Sequence, residues 1–244
     1  MTGEFRLRVH ESLPSTQSLA TELAERGEPA GLAILARRQT EGRGRAGRAW
    51  QSVAGNLHLS LLLRPGGAAR DIAGYALMAA VALHEAALHH APGRPLVLKW
   101  PNDLMEGSAK IAGILSEAAL DAHGGIAHLV CGIGVNLAHA PAVEGRAVAA
   151  LGPIAPEIFA ATLLSRLADW HKLRLTEGFA PIRAAWMERG PERGSLMTLR
   201  QGDNPVSGRY EGLAEDGGLL LATAGRLHAF HAGEVMERYD ASRD

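Results

Sequence analysis

The 244-residue chain has a single cysteine, few aromatic residues and almost no net charge. Cys131 alone can form neither an internal disulfide nor a cysteine-based zinc site. The 25 basic and 26 acidic residues give a formal net charge of −1, whereas duplex-DNA-binding proteins usually carry excess positive charge. No uninterrupted apolar run is as long as a transmembrane helix, and the N-terminal residues lack a signal-peptide core. These absences predict a cytoplasmic enzyme or small-molecule-binding protein without DNA or membrane partners.

The composition is that of a folded chain, and its patterning indicates two differently built parts. Hydrophobic residues make up 47% of the chain, which is typical of a protein with an apolar core. Apolar spacing predicts helices at residues 15–27, 71–90, 156–177 and 179–189. It predicts strands at residues 31–36, 56–63, 96–100, 111–119 and 126–135. After Gly194, short apolar runs between glycine-rich turns predict a small all-β barrel. The predicted domains are therefore residues 1–192 and 193–244.

Residues 39–50, with the sequence QTEGRGRAGRAW, form the most unusual segment. The spaced glycines match the dinucleotide-binding pattern GxGxxG, but the residues that follow lack the helical period that this fold requires. Glycine lets backbone amides approach an anion, and the guanidinium groups of Arg43, Arg45 and Arg48 match phosphate oxygens. A solvated basic surface loop is the alternative. Because arginine and glycine are interleaved between two apolar strands, we favour an anion-binding loop.

A second polar segment, Lys99-Trp100-Pro101-Asn102-Asp103, ends a predicted strand, and Lys110 follows shortly after it. Loops after strands commonly hold working side chains. Asp103 can accept a proton or bind a metal, whereas Lys99 and Lys110 can neutralise phosphate or carboxylate charge. An Asn-Asp turn with two surface lysines explains this segment equally well. The run GIGVN at residues 132–136 is weaker evidence, since glycine in a strand can simply mark close packing.

Other familiar sites are missing from the sequence. There is no P-loop pattern, and the histidines lack the spacing of metal ligands. No metal site built from side chains is therefore predicted. Cys131 lies in an apolar strand and is expected to be a small buried hydrophobic residue.

Taken together and in order, these segments resemble the biotin–protein ligases, also called biotin–[acetyl-CoA-carboxylase] ligases. The motifs that carry the resemblance are Ser15-Thr16-Gln17, Gln39 with loop 42–50, Gly55-Asn56-Leu57, Lys99 to Asp103, Lys110 with Gly113-Ile114-Leu115, and residues 132–136. The resemblance is close from His10 to Ala140 and looser up to residue 190. It implies an α+β fold like that of class II synthetases. In this fold a mixed, largely antiparallel sheet has helices packed on one face, and a small C-terminal SH3-like β-barrel follows.

The resemblance also implies an activity and its site. Members of the family join biotin to ATP, with Mg²⁺, to give biotinyl-5′-AMP, and then transfer biotin to a lysine of a biotin carboxyl carrier protein. The implied biotin-binding residues are Ser15, Thr16, Gln17, Gln39, Gly42, Arg43, Gly44, Arg45, Lys110 and Gly113. The implied nucleotide-binding residues are Arg45, Arg48, Trp50, Lys99, Asn102, Lys110 and Asn136. Lys110, Arg43 and Asp103 are the implied catalytic residues.

Several alternatives and departures accompany this resemblance. Only fourteen residues precede the Ser-Thr-Gln motif, which is too few for the winged-helix domain of bifunctional members, so DNA binding is not expected. Arg238 is a further candidate for nucleotide contact, and strand edges can pair into a homodimer. A lipoate ligase or octanoyl transferase of the same architecture is one rival function, with Cys131 as the only candidate thiol. A non-catalytic biotin sensor is the other.

Overall fold

The computed structural model describes residues 5–202 and 204–236, and in this part of the chain twelve strands form two sheets. The larger sheet contains β1 Arg6–Leu13, β2 Leu32–Gln39, β3 Leu57–Leu63, β4 Leu96–Lys99, β5 Asp103–Glu106, β6 Ala109–Leu120 and β7 Ile126–Val135. Its strand order is β1-β2-β3-β7-β6-β5-β4. Strand β1 pairs with β2 in parallel, and every other pair is antiparallel. The predicted mixed, largely antiparallel sheet is confirmed.

The sequence did not predict two of these strands, β1 and β5. The side chains of β1 are mostly exposed on both faces of the sheet edge, so the strand lacks the alternating apolar pattern that reveals a half-buried strand. Strand β5 has only four residues and is held between β4 and β6. Asp103, expected in a turn, is therefore the first residue of a strand.

Among the residues that the structure describes, four α-helices cover the sheet: α1 Thr16–Glu25, α2 Ile72–His90, α3 Pro156–Glu177 and α4 Ala180–Arg189. Their bounds lie within two residues of the predicted ones. The side chain of Ser15 caps α1 by accepting a hydrogen bond from the amide of Ser18. This cap satisfies one of the free amides at the helix start.

Three of these helices share one face of the sheet, as expected, and α1 lies on the other. Ala33 and Leu35 of β2 join the core formed with α2, α3 and α4. Leu32 and Ile34 pack in a second cluster with Ala20 and its neighbours on α1. Because successive side chains of a strand point to opposite faces, the continuous apolar run in β2 supplies both cores. The prediction that the helices pack on one face is therefore correct for α2, α3 and α4, whereas α1 packs on the opposite face.

Helix α2 with the turn before it, Ala69–His90, is long and apolar enough to cross a membrane, with a mean hydropathy of 1.3. Its most apolar part is 67% buried inside the fold. Burial of this kind is typical of the core helix of a globular protein, where an all-round apolar surface packs against other elements.

The second sheet follows α4 and contains β8 Leu196–Gln201, β9 Asn204–Leu213, β10 Leu219–Thr223, β11 Arg226–Phe230 and β12 Glu234–Met236. All of its pairs are antiparallel, in the order β11-β10-β9-β8-β12, which agrees with the predicted β-rich C-terminal part. The indole Nε1 of Trp100 donates to the carbonyl of Gly217 at 3.2 Å. This contact joins the turn between β9 and β10 to the end of β4. The domain boundary near residue 192 stays a prediction.

Candidate active site

A cleft of about 1010 Å³ lies over strands β3, β6 and β7 and is bordered by the start of α1, loop 42–52 and strand β12. The cleft is on the face of the sheet that α1 covers. Ser60 lines the cleft and Leu62 packs against α1, and residues two positions apart in a strand point to the same face. Residues 141–148 close the cleft on the side of β6. Segments distant in sequence therefore meet around one cavity.

Glycines of β6 and β7 make room for the side chains that lie on the floor of the cleft. A Cβ atom at Gly134 would lie 2.5 Å from Cε2 of Trp50, and one at Gly113 would lie 2.8 Å from Nζ of Lys110. Real side chains cannot approach so closely. These two glycines therefore allow Trp50 and Lys110 to lie directly against the sheet. The glycines at these strand positions in the sequence thus have a role in shaping the cleft.

One end of the cleft is a buried polar corner made by α1, β2 and β3. Oε1 of Gln39 accepts from the amide and hydroxyl of Thr16 at 2.8 and 3.1 Å. The hydroxyls of Thr16 and Ser60 lie 2.9 Å apart, and Ser60 donates to Oε1 of Gln17 at 3.1 Å. A Cβ at Gly132 would lie 2.6 Å from that same Gln17 oxygen. The corner holds preorganised donors and acceptors in an otherwise apolar wall.

Glu117 of β6 connects this corner to the glycine-rich loop. Its Oε2 accepts from Nε2 of Gln17 at 3.0 Å, and its Oε1 accepts from Nη2 of Arg43 at 2.7 Å. Nε2 of Gln17 also donates to the carbonyl of Val130 at 3.2 Å. The amide of Gln17 and the guanidinium of Arg43 are thus oriented by one carboxylate.

Lys110 and Asp103 form the ion pair at the centre of the cleft, where Nζ lies 2.6 Å from Oδ1. Their side chains are only 11% and 14% exposed. Burial lowers the pKa of Lys110, and the negative charge of Asp103 opposes that shift. Nζ also lies 5.7 Å from the ring centroid of Trp50, within cation–π range. A buried cation is therefore held in place by a carboxylate and an indole ring.

Loop 42–50 is folded back over the cleft rather than extended into solvent. The amide of Gly44 donates to the carbonyl of Arg48 at 2.8 Å, and the amide of Trp50 donates to the carbonyl of Gly42 at 2.9 Å. Nη1 of Arg45 donates to Oδ1 of Asn102 at 2.7 Å, which fastens the loop to the opposite wall. Burial lowers the pKa of Arg45.

The amides of Asn102 and Asn136 support the walls of the cleft. Nδ2 of Asn102 donates to the carbonyl of Ile114 at 2.7 Å. Nδ2 of Asn136 donates to the carbonyls of Lys110 and Ala149 at 3.4 and 3.2 Å. Each amide thereby fixes a backbone segment that borders the cleft, in addition to lining it.

Within residues 5–202 and 204–236, no group of three or more histidine, cysteine, aspartate or glutamate side chains is placed to bind a metal ion. Asp103 is paired with Lys110, and Glu234 of β12 is paired with Arg48 and Arg146. These two carboxylates of the cleft are therefore each paired with cationic side chains.

The sequence matches the Biotin/lipoate A/B protein ligase family over residues 9–136 and the Biotin protein ligase C terminal domain over residues 197–236. It is 37% identical over 232 residues to a biotin--[acetyl-CoA-carboxylase] ligase of Paracoccus denitrificans, which covers 91% of this chain and 96% of that protein. The chain belongs to the biotin protein ligase family. This chain is also 30% identical to the bifunctional ligase/repressor BirA of Bacillus subtilis, over 94% of this chain and 73% of that protein.

A solved structure supports the same assignment of the ligase fold. The biotin protein ligase from Aquifex aeolicus, in complex with biotin and ATP, superposes with a TM-score of 0.80 at 27% identity. The match covers 95% of this chain and 97% of that one. The α+β architecture with its C-terminal sheet is therefore that of a biotin protein ligase.

The structure brings nearly all the predicted site residues of the ligase together. Ser15, Thr16, Gln17, Gln39, Arg43, Gly44, Arg45, Arg48, Trp50, Lys99, Asn102, Asp103, Lys110, Gly113 and Asn136 all line the cleft. Gly42 is the exception, since it lies at the base of the loop, where it accepts from the amide of Trp50. Arg238 lies outside the described residues.

Several residues of the cleft were not predicted from the sequence. Ser60, Arg146 and Glu234 line the cleft, and Glu117 orients two residues that do. Ser60 and Glu117 are polar residues in largely apolar strands, which is a signal that could have marked them. Arg146 and Glu234 lie in segments without a recognisable motif, and only the tertiary structure places them beside the loop.

Proposed function

We propose that this ligase activates biotin with ATP to form biotinyl-5′-AMP and pyrophosphate, and then transfers biotin to a lysine of a biotin carboxyl carrier protein. The observation that carries the proposal is one cleft in which a buried polar corner adjoins the Lys110–Asp103 pair and three loop arginines. Acyl adenylation needs both features, because a neutral ligand must be oriented and several negative charges must be offset.

Biotin fits the polar corner by its chemistry. Its ureido ring is neutral and rich in donors and acceptors, which match the side chains of Thr16, Gln39 and Ser60 with their hydrogen-bonding neighbours. Such groups in an apolar pocket fix a ligand's orientation. The aliphatic tail then runs along β6 past Leu115 and Gly113, so that its carboxylate reaches Nζ of Lys110.

In the first step, a carboxylate oxygen of biotin bonds to the α-phosphorus of ATP, and the bond to the β-phosphate oxygen breaks. The electron pair of that bond leaves with pyrophosphate. Lys110 holds the attacking carboxylate and the α-phosphate together by its positive charge. Arg43, Arg45, Arg48 and Lys99 supply further positive charge for the phosphates, while Asn102 and Asn136 border the nucleoside.

Mg²⁺ is proposed to enter with the nucleotide, bound to the oxygens of the triphosphate. The described residues offer no carboxylate cluster that would hold the ion by themselves. Bound in this way, it supplies positive charge that offsets part of the charge on the phosphates.

In the second step, the neutral amine of a carrier lysine attacks the carbonyl carbon of the adenylate, and AMP leaves. Asp103 is proposed to orient this amine and accept its proton. Loop 42–50, fastened to Asn102 through Arg45, keeps water from the mixed anhydride until the carrier arrives.

The rival of the same architecture, an octanoyl transferase, would need a thiol in the cleft. Cys131 lies in the main core, on the opposite face of the sheet from the cleft, and its Sγ accepts a hydrogen bond from the hydroxyl of Ser116. Burial raises its pKa to about 11, which leaves little thiolate at neutral pH. This placement favours biotin activation without a covalent enzyme intermediate.

Transfer of biotin to a purified carboxyl carrier domain, followed by intact mass measurement, tests the proposal. We expect a gain of one biotinyl group on one carrier lysine, requiring both biotin and Mg-ATP. A gain with lipoate or an octanoyl donor, and none with biotin, would contradict it. Tight biotin binding without pyrophosphate release would instead indicate a sensor. A cytoplasmic location, the absence of DNA and membrane partners, and homodimer formation stay predictions.

A further inference from the structure

Two arginines from separate segments converge on one oxygen atom beside the active-site cleft. Nη1 of Arg48 and Nη2 of Arg146 donate to the same Oε1 of Glu234, at 3.0 and 2.7 Å. Arg48 belongs to the glycine-rich loop, Arg146 to the segment that closes the cleft, and Glu234 to β12. All three side chains line the cleft. Two guanidinium groups aimed at one anionic oxygen form a geometry that a phosphate oxygen can also occupy.

The backbone holds Arg146 in a fixed relation to the reaction centre. The amide of Lys110 donates to the carbonyl of Ala147 at 2.9 Å, and the amide of Ala149 donates to the carbonyl of Lys110 at 3.0 Å. The side chain of Asn136 binds the carbonyl of Ala149 as well. The segment that carries Arg146 therefore forms a short extension of the sheet beside Lys110, so that Arg146 is positioned by the same strand as the central lysine.

The charge around this point is unbalanced. Of the described residues that line the cleft, seven are arginine or lysine, and three are acidic, namely Asp103, Glu144 and Glu234. Burial would raise the pKa of Glu234, but its pairs with Arg48 and Arg146 outweigh this and lower its pKa. After burial, the charges of Arg146 and Arg48 also contribute to the lowered pKa of Lys110. The cleft has an excess of positive charge that Glu234 only partly neutralises, and a polyanionic substrate suits it.

We propose that Arg146 is a phosphate-binding residue of the nucleotide site. On this proposal, which rests on the proposed function, Arg146 and Arg48 exchange the carboxylate of Glu234 for oxygens of the β- and γ-phosphates of ATP. They stay with these oxygens as the α–β phosphoanhydride bond breaks and pyrophosphate takes the electron pair. When pyrophosphate leaves, the carboxylate of Glu234 returns to both guanidinium groups.

A purely structural role makes a different prediction. If Arg146 only connects residues 141–148 to β12, its loss disturbs the cleft for every ligand. The loss of a phosphate-binding residue, by contrast, weakens binding more as the number of phosphates on the ligand increases. A series of nucleotides that differ only in phosphate number therefore separates the two roles.

The experiment compares Arg146→Gln and Arg146→Lys with wild type in the presence of biotin. The ligands are AMP and the α,β-methylene analogues of ADP and ATP, which are not cleaved at that bond. We expect Arg146→Gln to weaken binding of the triphosphate analogue about tenfold or more, while the affinity for AMP changes less than twofold. Arg146→Lys should recover part of the lost affinity. The pyrophosphate concentration needed for the reverse reaction should rise in parallel. Arg189→Gln, which breaks a similarly buried arginine–glutamate pair away from the cleft, is the matched control.

Two results would overturn the inference. Equal weakening of AMP and the triphosphate analogue would show a structural role, and unchanged affinity for all three would show no role. Biotin-dependent exchange of pyrophosphate into ATP by the wild-type protein tests the proposed function separately. If wild type shows no exchange, the proposed function fails. If wild type exchanges, and Arg146→Gln either binds all three ligands as tightly as wild type or binds all three equally more weakly, only the inference fails.

Discussion

The ammonium nitrogen of Lys110 lies 2.6 Å from Oδ1 of Asp103, in the part of the cleft where the biotin carboxylate and the α-phosphate are proposed to meet. The two residues are seven positions apart, on neighbouring strands β5 and β6 that pair antiparallel. The hairpin therefore sets their separation. Because burial disfavours the charged form of Lys110, its carboxylate partner keeps a cation available where negative charges converge.

Lys110→Ala is expected to stop adenylate formation. Removal of one preorganised charge-stabilising group typically costs about 100- to 1000-fold in rate, and Lys110 is the buried cation that lies 2.6 Å from Asp103 in the cleft. Biotin-dependent release of pyrophosphate measures the step directly. Lys172→Ala, an exposed position on α3, is the control. A near-normal release rate in Lys110→Ala would remove Lys110 from the proposed role.

Arg45→Gly is expected to loosen loop 42–50 and release biotinyl-5′-AMP into solution. The variant loses the hydrogen bond to Asn102 that fastens the loop across the cleft, and the free adenylate should then label lysines of bystander proteins. Biotinylation of serum albumin mixed with the carrier domain reports the loss of selectivity. Asn102→Ala should show part of the same effect. Labelling confined to the carrier in both variants would contradict the sealing role of the loop.

Glu117→Ala is expected to raise the KM for biotin about tenfold, because the amide of Gln17 and the guanidinium of Arg43 lose the carboxylate that orients them. A lost charge-assisted hydrogen bond of this kind costs about 1–2 kcal/mol. Steady-state kinetics should show kcat and the KM for ATP nearly unchanged. Glu211→Ala, on β9, breaks an ion pair with Arg193 away from the cleft and serves as the control. An equal rise in both KM values would indicate general disruption of the cleft.

The stability of the protein is expected to fall between pH 9 and pH 11 because of Cys131. Burial raises the pKa of this thiol from an ordinary 9.0 to about 11. Between these values the unfolded chain loses the proton while the folded chain keeps it, so deprotonation stabilises the unfolded chain. Two pKa units correspond to about 3 kcal/mol of unfolding free energy. Urea unfolding of wild type and Cys131→Ala, under reducing conditions across this range, isolates the effect, since all other groups are shared. Parallel pH profiles for the two proteins would contradict it.

Much of the helical structure and the main motifs could be predicted from the sequence, because both depend on residues close together in the chain. Helix α3 begins and ends at the predicted residues, Pro156 and Glu177, since its apolar spacing and its first-turn proline are local signals. Strand β1 was missed because its exposed edge position removes the alternating pattern. The face occupied by α1 was missed because an apolar run such as that in β2 does not tell which helix covers which side.

The sequence by itself determined most of the side chains that line the cleft, because glycines interleaved with arginines and the Lys99 to Asp103 box are distinctive as local strings. Only the tertiary structure decided which distant residues orient them. Glu117 meets Gln17 across 100 positions, and Glu234 meets Arg48 across 186. Such pairs arise from the order of strands, which places β7 beside both β3 and β6, and from the docking of the second sheet. No local periodicity encodes those placements, since they depend on how the whole chain packs.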